Sequence, residues 1–172
     1  TGDPQTYQSW DKVWSMAVDP VSTDDVVFAT TPDKLYKSID GGDTWTQEMA
    51  SSGANGYSYC QIDVTSTGVY YLTFSSEGNL GGVWRSPDGV NWTEITPSNF
   101  PGSFGRVVIA IDPNNEDNVW FLSHNNCSSA YCGKTTYSWQ GTPENNSLWK
   151  YTYVSGDGAG TGGTWDDRSI NL

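Results

Sequence analysis

Along almost the whole chain, short apolar runs are separated by polar stretches, and each run is closed by Asp, Pro, Gly or Ser. Short apolar runs between turn residues predict β-strands joined by tight connections. The first clear unit begins at Val13. Residues 13–18 close at Asp19-Pro20, residues 26–29 follow a polar turn, and residues 35–38 and 44–48 flank a Gly-rich turn. The second unit repeats that order with residues 57–63, 69–72, 83–86 and 92–95. The third opens with residues 106–111, turns at Asp112-Pro113, and continues with residues 119–122, 148–151 and 164–167.

Asp19, Asp63 and Asp112 mark equivalent points of the three units, as do Tyr36 and Trp84. The units therefore recur about every 45 to 50 residues, the period of four-stranded propeller blades. The step from Trp84 to Trp149 is longer by about 17 residues, and the excess falls in residues 124–144. That stretch reads as a long loop between the second and third strands of the third unit. The expected fold class is all-β, with about three four-stranded antiparallel propeller blades over residues 13–50, 51–98 and 99–172. Residues 1–12 read as a lead-in or as the outer strand of a neighbouring blade. Propellers close with about four to eight blades, and an unclosed arc leaves the outer faces of its end blades bare. The expectation is thus a part of a larger β-propeller, partnered by the remaining blades of the same protein or by copies of itself.

Between the third and fourth strands, one turn recurs. Lys37-Ser38-Ile39-Asp40-Gly41-Gly42-Asp43-Thr44-Trp45 returns as Arg85-Ser86-Pro87-Asp88-Gly89-Val90-Asn91-Trp92, and again, loosened, as Ser155-Gly156-Asp157-Gly158 with Thr164-Trp165 beyond a Gly-rich insertion. Gly supplies positive φ, Asp accepts hydrogen bonds from the turn's own amides, and the Trp packs back onto the sheet. The pattern resembles the Asp-box, or BNR repeat, of sialidases, sortilin-type receptors, xyloglucan-hydrolase-like proteins and secreted bacterial β-propellers. The likeness extends from about Val13 to Trp165 and is nearest in style to the large cell-surface propellers of Bacteroidetes-type bacteria. It implies a structural role for Ser38, Asp40, Gly42, Trp45, Ser86, Asp88, Trp92, Ser155, Asp157 and Trp165. In the third copy Tyr151 stands where the small Ser is expected.

Nine Trp and ten Tyr with few basic residues suit an extracellular all-β protein, and a net charge of −12 excludes nucleic acid and anionic membrane surfaces as partners. No apolar run approaches the roughly 18 residues of a membrane span. The chain opens with neither Met nor a leader, so it reads as processed or as a piece of something longer. Cys127 and Cys132 lie in a loop rich in Asn, Ser and Gly where a disulfide ring can close, whereas Cys60 falls in an apolar strand as an inert core thiol. Asn91, Asn126 and Asn145 head N-glycosylation sequons, of which Asn126 and Asn145 lie in or beside the long loop. No metal or cofactor is expected.

Because each blade presents its recurring turn at a different azimuth, Asp40, Asp88 and Asp157 read as scaffold. Binding residues are expected at the other end, in the loops 31–33, 75–82, 98–105 and 124–144. The last holds Tyr131, Tyr137, Trp139 and Gln140, aromatics suited to stacking on a sugar ring or a peptide. Sialidases pair an arginine triad with a Phe/Tyr-Arg-Ile-Pro motif; this chain has Arg85, Arg106 and Arg168 and no such tetrapeptide. A xyloglucan-hydrolase-like enzyme needs two carboxylates across a cleft, and Glu77, Glu144 and Asp33 have no defensible partner here. The first expectation is a secreted or cell-surface, non-catalytic module binding glycan or protein. The alternatives are a part of a glycoside hydrolase whose carboxylates lie partly elsewhere, and a self-assembling structural subunit.

Overall fold

The computed structural model describes residues 12–53, 58–125, 134–137 and 143–172. Three antiparallel blades follow one another. Blade 1 contains β1 (Ser15–Val18), β2 (Val27–Thr31), β3 (Lys34–Ser38) and β4 (Thr46–Ala50), adjacent in chain order. Blade 2 repeats this with β5 (Cys60–Val64), β6 (Tyr70–Phe74), β7 (Gly82–Ser86) and β8 (Thr93–Glu94). Blade 3 places β9 (Phe104–Ile111) beside β10 (Asn118–Asn125), then β12 (Pro143–Tyr153), whose far edge carries β11 (Lys134–Tyr137) along one half and β13 (Gly163–Asp167) along the other. Among the described residues, no helix is long and apolar enough to cross a membrane.

The apolar runs read in the sequence become strands with two faces per blade, and the core lies between blades. Phe28, Leu35 and Ala17 of blade 1 close on Cys60, Ile62, Tyr70, Leu72 and Phe74 of blade 2. Tyr71, Val83 and Ile95 of blade 2 close on Val107, Ile109, Phe121, Trp149 and Tyr151 of blade 3. First strands adjoin first strands: β1 lies against β5, and β5 against β9. Each residue of β6 is buried because both faces of the middle blade are covered.

Ladder register fixes which positions are equivalent. Val27 pairs with Ser38, Tyr70 with Ser86, and Val119 with Tyr151, so Ser38, Ser86 and Tyr151 share one position. The amides of Asp19, Thr65 and Asp112 donate to the chain returning on the second strand, at Val26, Val69 and Asn118. Thr65, not Asp63, is therefore the counterpart of Asp19 and Asp112. The Asp63 match fails by two residues, which keeps the strand face and so left the polar pattern undisturbed.

One further reading is corrected and one sharpened. Much of the described part of segment 124–144 is strand, since β10 runs to Asn125, β11 spans Lys134–Tyr137 and β12 begins at Pro143. The loop expected at 31–33 is a tight turn through Pro32 and Asp33, the latter at φ 67°, a conformation Asp tolerates.

Candidate functional site

The recurring turns are built by their own side chains. The Ser38 hydroxyl donates to Asp40 Oδ1 at 2.6 Å and accepts from the Gly42 amide at 2.8 Å, while Asp40 also receives the Thr44 amide and hydroxyl. Ser86 and Asp88 repeat this: the Ser86 hydroxyl donates to Asp88 Oδ1 at 3.0 Å, and Asp88 accepts from the Val90 and Asn91 amides and from Asn91 Nδ2. Both carboxyls are held down to about 2, Asp40 first by the Ser38 hydroxyl and Asp88 first by the Asn91 amide. These acids stay ionised and occupied, which unfits them for proton transfer at neutral pH. The third turn differs: Asp157 receives the Ala159 amide, and the Tyr151 hydroxyl donates to the Gly158 carbonyl at 2.8 Å.

Two of the tryptophans of these turns serve blade contacts. Trp92 lies 6.4 Å from the Phe28 ring and 6.3 Å from the Tyr70 ring, and Trp165 Nε1 donates to the Ile95 carbonyl of blade 2 at 2.8 Å. Trp45, with no described blade before it, is 41% exposed, and Met16 and Val18 of β1 are exposed as well. On the far side of blade 3, Val108 and Leu122 are exposed as well.

At the same end as these turns, a cleft of about 280 Å3 opens between blades 2 and 3, lined by Thr65, Thr67, Tyr71, Arg85, Glu116 and Tyr153, with Val69 and Asp117 completing it. Arg85 is only 4% exposed. Its guanidinium lies over the Tyr153 ring at 4.1 Å and donates to the Asp157 carbonyl at 3.2 Å, while Nε is buried with no hydrogen-bond partner. It forms no ion pair with a described carboxylate, an expensive state for a buried charge. Glu116 is engaged across the blades, accepting the Ser66 amide at 2.7 Å and hydroxyl at 2.8 Å. The Asp117 carboxylate accepts no hydrogen bond from a described residue, and its main-chain carbonyl receives the Tyr153 amide. Burial pushes the Tyr71 hydroxyl up, with Arg85 pulling it back.

In the sequence Arg85 stands in the repeated strand pattern and among the three arginines weighed for a triad, and neither reading places it in a cleft. The signal was an aromatic followed by a base, Tyr36-Lys37, Trp84-Arg85 and Trp149-Lys150, recurring at one register. Lys37 lies over Phe28 at 5.3 Å and Lys150 over Trp120 at 5.4 Å, so each base covers an aromatic ring.

Of the candidate binding residues, Tyr131, Trp139 and Gln140 lie outside the described residues, and only the backbone of Tyr137 is placed, in β11. Cys127, Cys132 and Asn126 also lie outside them. Asn145 is half-buried in β12 with strands on both sides, not in a loop, and the Asn91 amide is engaged by Asp88. Cys60 is a buried free thiol whose pKa burial pushes up to about 12, hence unreactive. Asp63 is the described carboxylate that burial raises; it accepts the Val64 amide at 2.9 Å. Among the described residues no cluster of His, Cys, Asp and Glu is arranged to hold a metal ion. Scanned against protein-family models the chain matches none, and no curated protein matches it.

Proposed function

We propose that this chain is an arc of an Asp-box β-propeller, secreted or displayed at a cell surface, that binds glycan or protein without catalysis. The contrast between Trp92 and Trp165, which pack on the preceding blade, and the exposed Trp45 carries the reading. A flank of this composition is what a propeller blade presents to its neighbour, so further blades of the same protein are the proposed partner. The non-catalytic half is supported by the engagement of Asp40 and Asp88 in their own turns. The test is native electrophoresis through gels cast with soluble polysaccharides, paired with an assay for released reducing ends. Retardation without release supports a binding module. Release of reducing ends would replace it with a glycoside hydrolase, and passage through every gel would direct the search to protein ligands.

A further inference from the structure

The cleft between blades 2 and 3 brings together opposite charges that do not touch. Arg85 and Asp117 both line it, yet their charged groups form no ion pair, and the Arg85 Nε is left without an acceptor. Thr65 and Thr67 add hydroxyls that hydrogen-bond one another at 3.1 Å, and Tyr71 and Tyr153 complete the lining with aromatic rings. At the equivalent place between blades 1 and 2, Phe28 stands at the register of Tyr71 and Lys37 lies over its ring, so an apolar side chain takes the position that Tyr71 holds here.

The geometry points to a saccharide subsite here, in which vicinal hydroxyls of a neutral sugar ring bridge Arg85 and Asp117. A hydroxyl both accepts and donates, so one diol can take a hydrogen bond from the guanidinium and give one to the carboxylate. A free anion would meet Glu116 and Asp117, and a free ammonium would meet Arg85; an uncharged polyol meets neither penalty. At about 280 Å3 the volume falls just below the ~300–1,000 Å3 usual for ligand sites, which suits a single sugar unit of a longer chain. Glu116 stays bound to Ser66, leaving Asp117 as the acceptor. The inference rests on the binding-module reading and narrows it to one place and one chemistry.

The experiment is solution NMR on the isotope-labelled chain, following the Arg85 Nε–H cross-peak while glucose, galactose, mannose, xylose and, separately, inorganic phosphate are added. At least one sugar is expected to shift that peak together with the Thr67 and Asp117 amides, and phosphate is expected to leave it in place. Asp117→Asn, which disturbs no described hydrogen bond of the carboxylate, is expected to weaken that sugar about tenfold, the size of one lost charge-assisted bond. A peak that responds to phosphate and to no sugar overturns the proposal. So does sugar binding that shifts resonances elsewhere and is unchanged in Asp117→Asn, an outcome that leaves the binding-module reading standing. If no sugar shifts any resonance, both readings of a glycan ligand fall together.

Discussion

The Thr73 hydroxyl donates to the Val107 carbonyl at 3.1 Å, fastening the second strand of blade 2 to the first strand of blade 3. One interface earlier Thr30 makes the same bond to the Cys60 carbonyl at 3.2 Å. At the equivalent position of blade 3 stands Leu122, 40% exposed. Removing either buried hydroxyl loses one interblade bond, so Thr73→Val and Thr30→Val are each expected to lower unfolding free energy by about 1–2 kcal/mol in urea titrations. Leu122→Thr, with no described blade beyond it, should stay within about 0.5 kcal/mol of the parent.

Gly89 sits under the preceding blade. A β-carbon there would lie 2.8 Å from Phe28 Cζ, on a backbone at φ +67°. Gly89→Ala therefore combines strain with overpacking and should cost about 2–4 kcal/mol. Gly102, where a β-carbon meets nothing within 4 Å, is the control, and Gly102→Ala should leave the urea midpoint almost unchanged.

Acid stability follows the turn carboxylates. Asp40 and Asp88 fall from an ordinary value of 3.8 to about 2 on folding, so their contribution is complete above pH 4 and disappears as pH falls toward 2. Asp88→Asn should lower stability at pH 7 and flatten its decline between pH 4 and 2. Asp63 has the opposite sign: burial raises it, so its ionisation disfavours the fold as pH rises through 4 and beyond. Asp63→Asn should be neutral or stabilising at pH 7, with thermal melts across pH as the readout.

Tryptophan substitutions separate turn-building from blade packing. Trp92 and Trp45 belong to equivalent turns, but Trp92 lies against Phe28 and Tyr70 while Trp45 bonds its own turn, donating to the Gly42 carbonyl at 2.9 Å. Trp92→Ala should cost about 1–2 kcal/mol more than Trp45→Ala in the same titration, because it alone opens an interblade cavity.

Strands, blade count and turn chemistry were legible because each leaves a local signal: short apolar runs bounded by turn residues at Val13–Val18 or Tyr70–Phe74, and Ser-x-Asp at fixed spacing. What escaped was non-local or periodic in the wrong way. A two-residue slip at Asp63 preserves every strand face, so only the amide of Thr65 reveals the true register. The start of β12 is rich in Glu, Asn and Ser, so no apolar alternation marks it; it is held as a strand by pairing with β10 and β11. The Arg85 cleft joins residues of turns and strands nearly 90 positions apart, and no spacing rule links Thr65 to Tyr153.

Sedimentation velocity with a hydrophobic-dye titration tests the open arc most directly, applied to the chain and to a Met16→Lys/Val18→Lys variant. Bare flanks predict dye binding or reversible association in the parent chain, both suppressed in the variant at unchanged melting temperature. A parent chain that stays monomeric and dye-silent at high concentration would contradict the arc and the partner blades proposed to cover it.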